Sequence, residues 1–127
     1  GICLGLQLLF TESTEGGSHK GLNILKGRIL RLRRGLKIPQ IGWNTLKIVD
    51  TGNPIVKDLP DRSYVYFVHS YYARVDDEED VVAVTNYGID FPSIVSRKNV
   101  YATQFHPEKS GRMGLRILKN FVDLVKR

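Results

Sequence analysis

Cysteine occurs once in the 127 residues, at Cys3. That count excludes an intramolecular disulfide framework and suits a reducing, cytoplasmic compartment. No apolar run approaches the ~20 residues that a bilayer-spanning helix needs. Stretches such as Leu8 to Phe10 and Tyr64 to Val68 are core-sized, and no membrane partner is expected. Internal repeats, low-complexity tracts and inter-domain linkers are lacking, which leaves one domain. The three histidines, His19, His69 and His106, show neither i, i+4 spacing nor CxxC companions, so no metal is expected. With 42% hydrophobic and 25% charged residues, the composition is that of a globular chain and not of a disordered one.

Acidic residues are scarce early in the chain. Residues 1–49 hold eight Lys/Arg and two Asp/Glu, and residues 50–127 hold eleven of each, so the whole excess of +6 sits in the first part. Arg28, Arg31, Arg33, Arg34 and Lys37 carry most of it. Such a cluster meets nucleic acid, an anionic substrate or an acidic partner, or is simply the solvated face of a strand. No aromatics interleave the arginines for base stacking, so nucleic acid is not an expected partner. The acidic block Asp76 to Asp80 reads as a solvated turn between strands.

Apolar periodicity predicts a helix over 4–14, with Leu4, Leu8 and Leu9 on one face, and a loop over 15–21 around Gly16-Gly17-Ser18. Short strands are predicted at 28–33, 45–50, 64–68, 81–86, 93–97 and 100–105. A closing helix, capped by Ser110, should line Ile117, Leu118, Phe121, Val122 and Val125 along one face. A helix, several strands and a second helix make an α/β arrangement.

Two motifs carry chemistry. Gly1-Ile2-Cys3-Leu4-Gly5 has the form of a nucleophile elbow, with the reactive residue on a sharp strand-to-helix turn between small residues. The helix N-terminus is expected to favour thiolate at Cys3, and the Leu4 N–H to donate to an oxyanion. A buried structural cysteine is the plain alternative. In the second motif a strand runs into His106-Pro107-Glu108. Pro107 holds His106 extended, so His106 and Glu108 can point the same way, a base oriented by a carboxylate. Together the motifs supply a Cys-His-Glu triad.

These residues resemble the class I (triad-type) glutamine amidotransferases, through Gly1-Ile-Cys3-Leu-Gly5-Leu-Gln7 and Gln104-Phe-His106-Pro-Glu108. Within that class, Pro39-Gln-Ile-Gly42-Trp43-Asn44, Tyr66-Phe-Val-His69-Ser70-Tyr71 and His106-Pro-Glu-Lys109-Ser110-Gly111 are similar to the glutaminase subunits of imidazole glycerol phosphate synthase. The resemblance spans the chain from Gly1 to the last helix. It implies an open, mostly parallel sheet flanked by helices, with added antiparallel strands. It also implies glutamine hydrolysis by Cys3, His106 and Glu108, with substrate held by Gln7 and by the backbone at Ser70 and Tyr71. No cofactor is implied. The implied partner is a cyclase subunit of (β/α)8-barrel fold, which takes the ammonia in histidine biosynthesis, and Trp43, Asn44 and Lys109 are the candidates for the face it meets. A buried core aromatic at Trp43 and an ordinary surface cation at Lys109 are the alternatives.

The family places βα units ahead of the elbow. With Cys3 at the third position, the expectation is that residues 1–127 are the C-terminal portion of one amidotransferase domain. Alone they should show negligible glutaminase activity and expose an apolar sheet edge. Other readings are a triad amidotransferase serving anthranilate, pyridoxal phosphate or guanylate synthesis, or a non-catalytic binding module that retains the motif. His69 is expected to be a hydrogen-bonded residue at a strand end and not a second base.

Overall fold

A computed structural model of the chain describes residues 1–33 and 35–126. A short helix α1 (Leu4–Leu8) is followed by β1 (Glu12–Ser13), β2 (His19–Lys20) and β3 (Gly27–Arg31). Next come β4 (Gln40–Thr45), β5 (Lys47–Ile48), β6 (Tyr64–His69) and β7 (Tyr71–Val75). Then β8 (Val81–Asn86), β9 (Asp90–Arg97) and β10 (Val100–Thr103) lead to α2 (Gly111–Val125). Strands pair in the orders β2-β1-β3-β7, β10-β9-β8-β5 and β4-β6. Parallel contact occurs between β1 and β3 and at a bridge between Ile2 and Thr103, and the other pairings are antiparallel. The α/β class expected from the sequence therefore holds. None of the described helices is long and apolar enough to cross a membrane.

Alternation drives the strands. Along β6, Val65, Phe67 and His69 turn inward while Tyr64 faces out. Phe67 sits at the centre of one core, edge-on to Phe91 and Phe105 at 5.7 and 5.8 Å, with Ile117 of α2 closing it. A second core of Leu6, Phe10, Leu25, Ile29, Ala73, Val95 and Ala102 lies beneath α1. The six strands expected from sequence are all present, with shifted ends, and β1, β2, β4 and β7 are additions.

Four expectations change. The first helix stops at Leu8, not at residue 14, and it buries Leu6 and Gln7 while Leu4 and Leu8 stay more than half exposed. Phe10 is drawn wholly into the core, and Thr11 takes a hydrogen bond from Gly27 N–H through its hydroxyl. Both contacts suit an extended chain and lead directly into β1. The closing helix buries Gly114, Ile117 and Asn120, leaving Phe121, Val122 and Val125 exposed. Ser110 precedes that helix without capping it, because its hydroxyl is spent elsewhere. Finally, Asp80 of the acidic block is buried against Arg97 at 3.2 Å instead of being solvated.

Arg28 and Arg31 lie on β3, and Arg33 and Lys37 follow it outside any strand. Arg28 pairs with Glu12 at 2.9 Å, Arg31 lies 6.0 Å from the Tyr71 ring centre, and Arg33 and Lys37 are exposed. Arg34 falls outside the described residues.

Helix α2 approaches the His106-Pro107-Glu108 turn so closely that a Cβ on Gly114 would stand 2.0 Å from the Pro107 carbonyl oxygen. Alanine normally strengthens a helix interior relative to glycine by about 1 kcal/mol. Here overpacking should dominate, and Gly114→Ala is expected to cost about 1–3 kcal/mol and lower the melting temperature by several degrees. A raised melting temperature would refute the close approach.

Candidate active site

Cys3 has φ 55° and ψ −106°, a left-handed conformation rare for a residue with a side chain. The surroundings hold it there. Its N–H donates to the Thr103 carbonyl at 2.7 Å, Thr103 N–H returns to Gly1 at 2.9 Å, and Gly5 N–H closes the turn on Ile2 at 2.9 Å. A Cβ on Gly1 would lie 2.7 Å from the Gly5 backbone, so the first glycine of the motif is sterically required. Gly5 has open space where its own Cβ would be. These contacts make the strand-to-helix elbow that the motif predicts.

Gly1 to Cys3 runs parallel beside the end of β10, and His106 follows three residues past Thr103, the residue that bonds both Gly1 and Cys3. His106 N–H donates to the Tyr66 carbonyl at 3.0 Å. Its Nδ1 lies 2.9 Å from Glu108 Oε2, the geometry expected of an imidazole oriented by a carboxylate. The ring is largely covered, with 22% of its surface exposed, whereas Glu108 is half-exposed. Ser110 braces this turn. Its hydroxyl donates to the His106 carbonyl at 2.6 Å and accepts from Tyr66 N–H at 2.9 Å, which is why it does not cap α2.

The Cys3 thiol points toward the Val68 carbonyl at 3.6 Å. Burial pushes it above the ordinary thiol range, outweighing hydrogen bonds from Leu4 N–H and the Gln104 amide, with the Glu108 and Glu15 carboxylates adding to the rise. The helix N-terminus therefore does not lower the thiol as the motif leads one to expect: in a five-residue helix its contribution is outweighed by desolvation. Leu4 N–H lies beside the sulfur and donates toward it.

Gln7 is buried on the same helix. Its Nε2 donates to the Tyr71 carbonyl and to Gln104 Oε1, both at 3.2 Å, which leaves Oε1 as the atom it offers a ligand. Ser70 lies between β6 and β7, and its carbonyl accepts from Leu32 N–H at 2.9 Å. His69 is buried at the end of β6 and bonded through both ring nitrogens, as the strand-end reading anticipates.

Trp43 is 56% exposed on β4 and packs edge-on against Tyr66 at 5.6 Å, so it is not a core aromatic. Ile41 and Tyr64 stand exposed on the same ribbon face. Asn44, one residue on, is turned to the opposite side by strand alternation. Its Nδ2 donates to the Asn86 carbonyl and to Gln40 Oε1, and the residue stays partly exposed. Lys109 is exposed beside the His106 turn.

Gln104, two residues before His106 in the second motif, has no role predicted from the sequence. It is fully buried, with Nε2 3.6 Å from Cys3 Sγ. Its spacing two residues before His106 was the available signal, since alternate residues of a strand share a face. Gln104→Leu keeps the volume but strands the Gln7 amide and removes a donor from the sulfur. A fall in kcat/KM of about 10- to 100-fold is expected, and unchanged steady-state kinetics would show that the contact has no catalytic consequence.

A family description, "Glutamine amidotransferase class-I", matches residues 1–125. The chain is 56% identical over 128 residues to imidazole glycerol phosphate synthase subunit HisH of Archaeoglobus fulgidus, an alignment covering 100% of this chain and 64% of that protein. It is 51% identical to the like-named subunit of Caldanaerobacter subterraneus, covering 99% and 62%, and 50% identical to that of Methanocaldococcus jannaschii, covering 98% and 63%. The chain thus spans less than two thirds of the length of these relatives. Among solved structures, a glutamine amidotransferase from Thermotoga maritima superposes with a TM-score of 0.64 at 22% identity, covering 99% of this chain and 47% of that one. A GMP synthase-type protein from Thermoplasma acidophilum gives 0.62 at 22% identity, covering 79% and 49%. Likeness at that identity speaks to the fold.

Proposed function

Because the chain belongs to the class-I glutamine amidotransferase family, we propose that it carries the catalytic triad of a glutaminase subunit of imidazole glycerol phosphate synthase. The observation that carries this reading is the strained elbow at Cys3, hydrogen-bonded to the strand that runs on into the His106–Glu108 pair. In the proposed reaction Cys3 gives its proton to His106 as the sulfur attacks the side-chain amide carbon of glutamine. Desolvation of the thiol disfavours the free thiolate, which supports transfer of the proton during the attack. Leu4 N–H stabilises the tetrahedral oxyanion, and the C–N bond then breaks as His106 protonates the departing ammonia. Water, deprotonated by the same imidazole, hydrolyses the thioester to glutamate and restores Cys3. Glu108 orients His106 and offsets its charge. Gln7 Oε1 accepts from the substrate's α-ammonium, beside the backbone of Ser70 and Tyr71.

A partner cyclase of (β/α)8-barrel fold, forming a heterodimer in the cytoplasm, would receive the ammonia. The exposed ribbon of Ile41, Trp43 and Tyr64 supports a docking face there, with Lys109 beside it, because β6 of that ribbon passes both Cys3 and His106. Labelling of the intact protein by a glutamine-like chloroketone tests the catalytic reading. Modification at Cys3, blocked by glutamine, is expected, and its absence would favour a non-catalytic module. Co-purification with a barrel cyclase separates this subunit from amidotransferases of other pathways.

A further inference from the structure

An unbroken line of hydrogen bonds joins β4 to the Cys3 elbow, and the acid–base chemistry above does not use most of it. Asn44 Nδ2 donates to Gln40 Oε1 at 3.0 Å, and Gln40 Nε2 meets His69 Nε2 at 2.6 Å. His69 Nδ1 meets the Tyr71 carbonyl at 2.8 Å. The same carbonyl accepts from Gln7, which also donates to Gln104, whose amide reaches Cys3.

The direction of each bond is set by the groups themselves. A carbonyl can only accept, so His69 Nδ1 carries the proton that goes to Tyr71. Its Nε2 then holds a lone pair, which the Gln40 amide fills while Gln40 Oε1 receives Asn44. A second proton on the ring would set two donors against each other at 2.6 Å. Burial among Phe67 and Phe91, with ring centres 5.5 and 5.1 Å away, also lowers its affinity for one. His69 is therefore a fixed donor–acceptor and not an acid–base group.

Strand pairing does not need this arrangement, because Gln40 and His69 are already register partners through their backbones. What the imidazole adds is an anchor on the Tyr71 carbonyl, one residue beyond Ser70, where the chain turns from β6 into β7. We propose that His69, backed by Gln40, is a positioning residue for glutamine, pinning the Ser70–Tyr71 turn and the Gln7 amide so that the amino-acid end of the substrate meets a preformed cradle. This rests on the glutaminase reading above.

The test is glutamine kinetics on the intact protein assembled with its partner, for His69→Phe, His69→Gln and His69→Asn. Phenylalanine removes both bonds. Glutamine reaches Gln40 but not Tyr71, and asparagine places an N–H where Nδ1 stood. KM for glutamine is expected to rise about 10-fold or more in the Phe and Gln variants, with kcat changed far less and much of the loss rescued by Asn. A purely structural histidine would lower the active fraction, hence apparent kcat, and leave KM unmoved. If the Phe variant fails to fold, the Gln variant carries the same comparison. Unchanged KM in His69→Gln, with the wild type active, overturns the positioning role alone. A wild type that hydrolyses no glutamine overturns the glutaminase reading and this inference with it.

Discussion

Cys3→Ala is expected to lower glutamine hydrolysis by ~10⁴-fold or more, because no neighbouring group can replace the sulfur as nucleophile. Synthase activity driven by added ammonia should persist in the assembled enzyme, since that reaction bypasses the thioester. Measuring both rates on one preparation distinguishes a lost nucleophile from a lost fold. Retained glutaminase in this variant would remove Cys3 from the mechanism. Alkylation of the ligand-free protein adds a pH test. Burial holds the folded thiol above its ordinary range, so the thiolate, and with it the alkylation rate, should rise only at pH values above those of an exposed cysteine. Denaturation should move that rise to lower pH.

His106→Asn comes second in expected effect, about 10³-fold in kcat with KM little changed, because the proposed role of the imidazole is to move protons in the transition state and not to hold ground-state substrate. Pre-steady-state assays should show both formation and hydrolysis of the thioester slowed, since one base serves both. Glu108→Gln should cost much less, on the order of 10-fold, because Glu108 is half-exposed and solvent screens the charge it provides. Equal losses in the two variants would contradict the roles assigned here. So would a His106→Asn defect confined to KM.

Much of this site is legible in the primary structure because its decisive groups are local. The elbow lies within Gly1 to Gly5 and the oriented base within His106 to Glu108. Steric rules for glycine, proline and extended chain act over those distances without help from the rest of the fold. The strand alternation of β6 is legible for the same reason. Legibility fails where two positions distant in sequence compete for one group. Ser110 is a good N-cap residue by type, yet its hydroxyl bonds Tyr66 and His106. Asn44 adjoins Trp43 in sequence, yet its amide is consumed by Gln40 and Asn86. The periodic leucines of residues 4–9 extend a helix on paper, yet by Thr11 the backbone N–H bonds the distant Gly27 carbonyl instead.

By itself, then, the sequence determines the groups available: a cysteine on a tight turn, a histidine beside a carboxylate, and strands that alternate to carry them. Only the tertiary structure decides how these groups are conditioned. Desolvation raises the Cys3 thiol, Gln104 reaches it from the neighbouring segment, and His69, bonded to Gln40, meets the Tyr71 carbonyl from a different strand pair. The physical reason is that local backbone preference is set by a few adjacent residues. Burial and hydrogen-bond partnership depend on which distant segments the packed core brings together.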